Sequence, residues 1–314
     1  MSLWQRTMIG LARSQLMRKL MQGNPLTHSL ATRFVGGSDA VSATAKAQEL
    51  NKLGIRSSLY YLGEYVDSME LIEQNVAHIV TVAKQLGEAG LDLHVSVDPT
   101  QVGYAISDEI GERNILRIGR VIAEQPSAGK KVLMLDMEDF SYVEKTLALR
   151  SRLVREGIPT AITIQAYLYR SEQDLRQLIQ EGAAVRLVKG AFAESKERAW
   201  TYKRDIDANY LRLAQLLLSP EARAKCVYPV FGTHDDRMIN AIRPLLHENG
   251  WGKDSYEFEM LYGVRPSLQR QLVDEGHNVR VYLPFGTEWW PYTIRRIGEN
   301  PANVRLVLHA IRND

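Results

Sequence analysis

The chain has 314 residues, of which 45% are apolar and 24% are charged, a composition typical of a globular protein. Its formal net charge of +2 is too balanced to indicate a nucleic-acid-binding protein. No apolar run approaches the roughly 20 residues that a membrane-spanning helix needs, and no long apolar stretch follows the N-terminal charges as a secretory signal would require.

The chain has a single cysteine, Cys226. One thiol can form neither an intramolecular disulfide nor a metal site built from several cysteines. Because Cys226 directly precedes the apolar segment Val227–Phe231, we expect it to be a buried core thiol. This cysteine usage favours a reducing, cytoplasmic setting.

The first predicted element is an N-terminal helical arm. Residues 1–38 contain no acidic residue but five Lys and Arg residues, and their leucines and methionines recur at helical spacing. An organelle-targeting peptide is one interpretation, and an arm that lies on the domain or on an anionic membrane is the other. We favour the arm because residues 34–37 follow without a polar break. With a second helix over 42–53, the arm spans residues 1–54, and the main domain spans residues 55–314.

From residue 56 onward, strand-like and helix-like segments alternate. The predicted strands are 56–62, 91–97, 131–135, 160–164, 184–188, 226–231, 256–259 and 279–283. Helices are predicted at 68–85, 106–124, 142–156, 172–180, in a helix-rich region up to 218, at 237–248, at 267–275 and from near Tyr292. Eight such units favour the α/β class and a (β/α)8 barrel. A doubly wound open sheet is the alternative, but the first strand lacks the Gly-rich phosphate turn that usually follows it there.

Polar residues follow every predicted strand, at the end of a parallel barrel where active sites lie. They are Glu64, Asp98, Asp136, Gln165, Arg186 with Lys189, Thr233 with His234, Glu259, and Tyr282. Eight polar strand ends, with amides, hydroxyls and both charges mixed, predict a lined pocket. The sequence has no histidine spacing typical of a metal site and no Gly-x-Ser-x-Gly turn typical of a serine hydrolase, so we expect neither.

Four basic residues fall near the predicted pocket: Arg186, Lys189, Arg295 and Arg296. They favour an anionic ligand, a carboxylate or a phosphate, over a divalent metal ion. Arg295 and Arg296 are adjacent, so their guanidinium groups repel each other and require a nearby anion. That anion is either a bound ligand or a neighbouring glutamate on a solvated helix face.

Several motifs together resemble those of the flavin-dependent proline dehydrogenase family, in the same order and spacing over roughly residues 30–310. They are LGE at 62–64, LDMED at 135–139, QAYLYR at 165–170, RLVKGA at 186–191, GTHD at 232–235, EFEMLYGVR at 257–265 and the segment 279–299. The resemblance implies a distorted (β/α)8 barrel with FAD across the strand ends. It implies that Arg186 lies beside flavin N5 and tunes the flavin potential. The implied cofactor-binding residues are Gln165, Arg186, Val188, Lys189, Gly190, Thr233, His234 and Glu259.

The resemblance also implies the reaction, which is oxidation of L-proline to 1-pyrroline-5-carboxylate by hydride transfer to FAD N5. The implied catalytic residues are Arg186, Asp136, Tyr282, Arg295 and Arg296, of which the last two clamp the substrate carboxylate. The implied substrate-binding residues are Asp98, Ala191, Leu261, Glu64 and Glu299, with Glu64 pairing with Arg295 as a gate. Electrons then pass to a quinone-type acceptor, and the basic arm suits peripheral contact at the inner face of a membrane.

Four positions depart from the family pattern. Asp98 stands where a lysine usually pairs with the Asp136 position, which changes the formal charge by two units. If Asp98 and Asp136 are both ionised and close, one of their pKa values should rise. Phe192 replaces a tyrosine, Glu259 a glutamine, and Trp290 a tyrosine.

Three readings of the Asp98 departure stay open. Proline remains the substrate and the two arginines carry its carboxylate, or the substrate is a related cyclic or acyclic amine, or oxidation is lost in a flavin-binding relative. A different class, a non-catalytic barrel that binds phosphorylated ligands at its basic mouth, predicts a protein without flavin colour.

Overall fold

A computed structural model describes residues 33–63, 66 and 68–299, with only the helical backbone for 295–299. The predicted arm helix before residue 33 and the predicted gate residue Glu64 therefore lie outside the described residues. So do the side chains of Arg295, Arg296 and Glu299.

Eight parallel strands close into a barrel, and each is hydrogen-bonded to the next one in sequence. They are β1 (Ile55–Tyr61), β2 (Leu93–Val97), β3 (Lys131–Leu135), β4 (Thr160–Gln165), β5 (Ala184–Val188), β6 (Tyr228–Gly232), β7 (Glu257–Leu261) and β8 (Val279–Phe285). β8 closes the barrel on β1 over seven residue pairs, from Ile55 with Val279 to Tyr61 with Phe285. The predicted (β/α)8 fold is confirmed.

Helices surround the barrel. They are α1 (Ala40–Lys52), α2 (Met69–Glu88), α3 (Asp108–Glu124), α4 (Val143–Arg155), α5 (Ser171–Gln180), α6 (Lys203–Leu217), α7 (Pro220–Ala224), α8 (Asp236–Glu248), α9 (Pro266–Asp274) and α10 (Trp289–Glu299). Their starts follow capping chemistry, since Ser68 and Ser107 each accept a hydrogen bond from the backbone N–H three residues later. In the described ranges, no helix is both long enough and apolar enough to cross a membrane.

The last helix, α10, begins at Trp289 rather than near Tyr292 as predicted. Gly286, with φ +128°, turns the chain directly after β8. Pro291 then lies in the first turn of the helix, where its missing N–H costs no helical hydrogen bond. A proline that we took as part of a loop is thus compatible with an earlier helix start.

Helix α1 shares the hydrophobic core of the barrel. Its alanines Ala40, Ala43 and Ala47 are buried in the same cluster as Ile55 and Leu59 of β1. Small side chains allow this helix to lie close against the strand. The division of the chain at residue 54 stays a prediction.

Cys226 is exposed, so the expectation of a buried core thiol was wrong. The residue lies in the turn that follows α7, in the left-handed conformation with φ +59°. Its N–H donates to the Arg223 carbonyl and the next N–H, of Val227, donates to the Ala222 carbonyl, which closes the helix end. Burial begins at Val227 and the strand at Tyr228, because the chain first needs this turn.

A buried ionic network fills the N-terminal end of the barrel interior. Arg280 of β8 is 1% exposed and donates to Glu257 Oε1 at 2.7 Å and to Asp92 Oδ2 at 2.8 Å. It also donates to the Ser57 carbonyl oxygen at 2.8 Å. A buried charge requires such partners, and these contacts join β8 to its neighbours on both sides and to the start of β2.

Candidate active site

The C-terminal ends of the strands surround a cavity with a volume of about 730 Å³. Thirteen of the predicted site residues line it: Asp98, Asp136, Gln165, Arg186, Val188, Lys189, Gly190, Ala191, Thr233, His234, Glu259, Leu261 and Tyr282. Segments that are far apart in sequence converge there because all eight parallel strands end on the same face. The structure thus brings these residues together, while their individual roles stay predictions.

Arg186 is the buried charge at the base of this cavity, with 5% of its surface exposed. Its Nη2 pairs with Asp136 Oδ1, and its Nη1 lies 2.9 Å from Glu259 Oε1. Its Nε donates to Thr163 Oγ1 at 3.0 Å, and its guanidinium carbon lies 5.4 Å from the Tyr282 ring centroid. Two carboxylates, a hydroxyl and an aromatic face therefore fix both the position and the plane of the guanidinium group.

Two neighbouring tyrosines each donate a hydrogen bond to an aspartate on the wall of the cavity. Tyr282 donates to Asp136 Oδ2 at 2.8 Å, and Tyr60 donates to Asp98 Oδ2 at 2.6 Å. Their ring centroids are 5.1 Å apart. Burial, with help from Tyr60 and Asp98, raises the pKa of Tyr282 well above its usual value, so its phenol remains a neutral donor.

Asp98 lies next to a third carboxyl group, that of Glu138. Burial in the first place, and the Asp98 charge in the second, raise the pKa of Glu138 to about 8. Thr100 holds this side chain, because its N–H donates to Oε2 at 2.9 Å and its hydroxyl to Oε1 at 2.5 Å. The acid beside Asp98 whose pKa rises is therefore Glu138, whereas Asp136 pairs with Arg186.

Lys189 lies on the opposite side of the cavity, in a second ionic cluster. Its Nζ lies 2.5 Å from Asp207 Oδ1 and 2.9 Å from Asp235 Oδ2. Burial alone would raise the pKa of both carboxyl groups, but hydrogen bonds from Lys189, Lys203 and Arg237 outweigh it and lower both. The Lys189 ammonium is therefore held between two carboxylates on α6 and in the turn after β6.

Gln165 and Gly190 line the cavity where β4 and β5 end. Gln165 donates from Nε2 to the carbonyl oxygens of Met137 and Glu138, both at 3.2 Å. Its Oε1 is buried and has no hydrogen-bond partner among the described residues. Gly190 has φ +106°, and a Cβ atom there would lie 2.1 Å from the ring of Tyr167.

His234 lies at the rim of the cavity, where β6 ends. The backbone N–H of Leu261 donates to His234 Nε2 at 2.9 Å. Because Nε2 acts as the acceptor, the proton of the neutral ring is on Nδ1. The hydrogen bond ties the turn after β6 to the end of β7.

Six further residues line the cavity without having been assigned to it: Met137, Thr163, Phe192, Gly232, Asp235 and Met260. Thr163 could have been found, since it lies two residues before Gln165 on β4 and alternate strand residues share a face. Phe192, at the rim, is 43% exposed and had been noted only as a departure from the family pattern. The sequence has no comparable signal for Tyr60 and Glu138. Tyr60 is placed by its contact with Asp98, and Glu138 by its contact with Thr100.

In the part of the chain that the structure describes, no group of three or more His, Cys, Asp or Glu side chains is arranged to hold a metal ion. Three carboxylates of the cavity, those of Asp136, Glu259 and Asp235, pair with Arg186 or Lys189.

Comparison with known proteins finds a match to the family model described as proline dehydrogenase, over residues 43–309. Proline dehydrogenase 1 of Bacillus subtilis subsp. natto is 36% identical over 282 residues, which cover 90% of each chain. The proline dehydrogenase of Deinococcus radiodurans is 37% identical over 286 residues, again 90% of each chain.

Among solved structures, the chain is similar to proline utilization A (PutA) from Bdellovibrio bacteriovorus inactivated by N-propargylglycine, with a TM-score of 0.79 and 24% identity over 88% of this chain and 33% of that one. PutA from Corynebacterium freiburgense gives a TM-score of 0.74 and 22% identity over 98% of this chain and 34% of that one. This chain thus spans about a third of the length of those PutA chains, and the likeness shows the shared barrel fold.

Proposed function

The chain belongs to the proline dehydrogenase family of oxidoreductases, and on that premise we propose that it binds FAD and oxidises L-proline to 1-pyrroline-5-carboxylate. The observation that carries the proposal is the cavity at the strand ends, in which Arg186 is fixed by Asp136 and Glu259. The relatives that span 90% of this chain are themselves named proline dehydrogenases.

The residues of the cavity fit a flavin. Its volume of about 730 Å³ lies in the range of ~300–1,000 Å³ that holds a drug-sized ligand, so it has room for more than one amino acid. The free acceptor Gln165 Oε1 suits an imide N–H of the flavin ring. At Gly190, φ is +106° and the Tyr167 ring lies where a Cβ atom would be, so this part of the cavity lining requires glycine.

We propose that Gln165, Val188 and Gly190 contact the flavin ring system and that Lys189, Thr233 and His234 bind its ribityl chain and phosphates. When bound, FAD supplies at N5 the acceptor for the hydride that leaves the ring carbon next to the substrate nitrogen. The contribution of Arg186 is a fixed positive charge, which favours the flavin in its reduced form.

The apolar wall of the cavity orients the substrate ring and excludes water. Ala191, Leu261 and Tyr282 line the cavity, and the ring of Tyr282 lies beside Arg186. Tyr282 keeps its hydroxyl directed at Asp136 Oδ2, so its aromatic face is held in one orientation. When the substrate is held between this wall and the flavin, the translational and rotational entropy of the reacting groups has already been lost on binding, which lowers the barrier to hydride transfer.

We propose that Arg295 and Arg296 bind the substrate carboxylate, with Glu64 and Glu299 as neighbouring substrate-binding residues. Support comes from the placement of helix α10, whose residues Trp289, Trp290, Tyr292 and Ile294 pack in one apolar cluster with Tyr60 and Leu62 and against Tyr282. Residues 295 and 296 follow Ile294 directly in the same helix.

A related cyclic or acyclic amine is the second candidate substrate. The observation that favours it is the Asp98 carboxylate, which lines the cavity and accepts a hydrogen bond from Tyr60. A carboxylate there attracts a second cationic or donor group and repels an extra acid. Stopped-flow flavin reduction over a panel of amines separates the two, since an amine that reduces the flavin far faster than proline makes this candidate the function.

We further propose that electrons pass to a quinone-type acceptor and that the protein is cytoplasmic, with peripheral contact to the inner face of the membrane through its basic N-terminal segment. Flotation with anionic liposomes, with and without residues 1–24, tests the membrane contact. Equal binding of both forms to the liposomes would contradict a membrane contact through the N-terminal segment.

The purified protein tests the proposed reaction in a dye-linked assay. We expect a yellow protein that reduces the dye only with substrate and releases a product that has lost two hydrogen atoms from proline. A yellow protein that no amine reduces would indicate a flavin-binding relative without this activity. A colourless protein that cannot be reconstituted with FAD would favour a barrel that binds phosphorylated ligands instead.

A further inference from the structure

Glu259 is a buried carboxyl group with one satisfied and one unsatisfied oxygen. It lies on β7, lines the cavity and is 3% exposed. Its Oε1 accepts from Arg186 Nη1 at 2.9 Å, while its Oε2 is buried without a hydrogen-bond partner among the described residues. An ionised carboxylate with an unsatisfied oxygen in a buried site is costly.

The charges around Glu259 do not balance it. Arg186 on β5 faces it, but the same guanidinium also pairs with Asp136, which follows β3. Arg280 on β8 is the register neighbour of Glu259 and lowers its pKa, but its own hydrogen bonds go to Glu257 and Asp92. The other titratable groups nearby are Glu257 on β7 itself, Tyr228 and Tyr282 on the neighbouring strands β6 and β8, and His94 on β2.

When Glu259 is ionised, it therefore shares the positive charge of Arg186 with Asp136. Burial raises the pKa of Glu259, and the Glu257 charge raises it further, while Arg186 and Arg280 lower it, so that the net shift is upward. Any negative charge added to the cavity would push the carboxyl group further toward its protonated form.

We propose that Glu259 takes up one proton when the flavin in this cavity is reduced, and that it is thereby a proton-linked tuning residue for the flavin potential. The inference rests on the proposed binding of FAD. The two electrons would come from the substrate as a hydride, or from a chemical reductant together with a proton from water. One proton from water is added to Oε2 of Glu259, which becomes a neutral acid while Oε1 still accepts from Arg186.

The consequence is an extra slope in the pH dependence of the potential. For a two-electron couple, a tenfold change in an equilibrium constant corresponds to 29.6 mV, so each extra proton adds about 30 mV per pH unit. We expect the midpoint potential of the wild-type protein to carry this extra slope between the pKa values of Glu259 in the oxidised and reduced protein.

The variant Glu259→Gln tests this directly, since its amide oxygen can still accept from Arg186 but cannot be protonated in this range. We expect it to lose the extra 30 mV per pH unit and to have the higher potential at alkaline pH, where a negative charge has been removed. Glu138→Gln is the matched control, because Glu138 is also buried with a raised pKa but contacts Thr100 rather than Arg186. It should keep the wild-type slope.

Potentials are measured by dithionite titration with reference dyes, so proline is not needed. Equal slopes in the wild type and Glu259→Gln, or a slope lost only in Glu138→Gln, would overturn the proposal. If Glu259→Gln does not fold, the test uses the wild type alone. A pH-indicator dye then measures how many protons the protein takes up per two electrons. An infrared difference spectrum of reduction must then also show a new band of a protonated carboxyl group, and its absence would contradict the assignment.

Failure of this inference can be told apart from failure of the proposed function. A protein that binds flavin and is reduced by proline, but without the extra proton, loses only the role given to Glu259. A protein that binds no flavin loses both.

Discussion

Tyr282 and Tyr60 show how single hydroxyl groups fix the acids of the cavity. Each donates to one aspartate, and the two rings lie against each other at a centroid separation of 5.1 Å. Asp136 also pairs with Arg186, so Tyr282 acts on the guanidinium through this carboxylate as well as through its ring. Side chains that are fixed before the substrate arrives lower the cost of reaching the reactive geometry.

The variant Tyr282→Phe removes the hydrogen bond to Asp136 and leaves the ring in place. A hydrogen bond to a charged group contributes ~1.5–3 kcal/mol, so we expect kcat/KM for proline to fall by roughly 10- to 100-fold. Tyr256→Phe is the control, since Tyr256 is also hydrogen-bonded, to His277, but precedes β7 at the opposite end of the barrel. Equal loss of activity in both variants would show that the Tyr282 hydroxyl has no particular role.

Gly190→Ala tests the tight packing of the cavity-lining residue Gly190 against the Tyr167 ring. The new Cβ atom would lie 2.1 Å from that ring, so the ring or the backbone of the cavity lining must move. Gly157→Ala is a control for backbone strain alone, because Gly157 has φ +75° and nothing within 4 Å. We expect Gly157→Ala to lose on the order of 1–2 kcal/mol of stability from backbone strain alone. Gly190→Ala should lose more, because of the added contact with Tyr167, and should also lose flavin on gel filtration. Full flavin content in Gly190→Ala would contradict the placement of the cofactor.

Among the elements, the loops after β2 and β3 are joined by the carboxyl group of Glu138. Asp98 and Thr100 follow β2, and Glu138 follows β3 and accepts two hydrogen bonds from Thr100. The raised pKa of Glu138, about 8, means that the folded protein holds this proton more tightly than the unfolded chain does. The contribution to stability is therefore complete below about pH 4 and is lost as the pH rises toward 8.

The variant Glu138→Gln should remove this loss of stability at rising pH. Its amide oxygen can accept from the Thr100 N–H and its amide group can donate to the Thr100 hydroxyl, so the contact is kept without a titrating group. We expect the melting temperature of the variant to fall less than that of the wild type between about pH 5 and pH 8. Parallel curves in differential scanning calorimetry would show that Glu138 does not titrate in this interval.

The packing of the first turns of helix α10 is proposed to position Arg295 and Arg296, which lie further along the same helix. Ile294 is buried in the cluster with Tyr60 and Leu62, directly before residues 295 and 296. Ile294→Ala should cost about 2–5 kcal/mol and raise KM for proline while flavin content stays unchanged. Ile79→Ala, in the fully buried core face of α2, should cost a similar amount without changing KM. A rise in KM in both variants, or in neither, would contradict the role of α10.

At the scale of the whole molecule, the barrel was predictable because each strand is a short apolar run between turn residues. Strands β3 and β5 have the predicted bounds, whereas β2 and β6 each begin two residues later than predicted. The errors lie where a turn uses apolar residues. Cys226 is the example, since the helix end before it needs a left-handed residue, and composition alone does not reveal this.

The convergence of the site was also predictable, since the strands of a parallel barrel all end on one face. The pairing of its charges was not. Lys189 was expected to serve a ligand, yet Asp207 and Asp235 hold it from α6 and from the turn after β6. Arg280 and Asp92 are 188 positions apart and meet only because the barrel closes. Such contacts depend on side-chain directions in the folded chain.

An anaerobic titration with L-proline, followed by absorbance, tests most directly whether this barrel is a proline-oxidising flavoprotein. We predict a purified protein with an oxidised flavin spectrum, extractable FAD, and bleaching of the flavin band as proline is added, with D-proline as the control that leaves the band largely unchanged. A flavin band that persists at saturating L-proline, or a protein without flavin that FAD does not reconstitute, would contradict the proposed function.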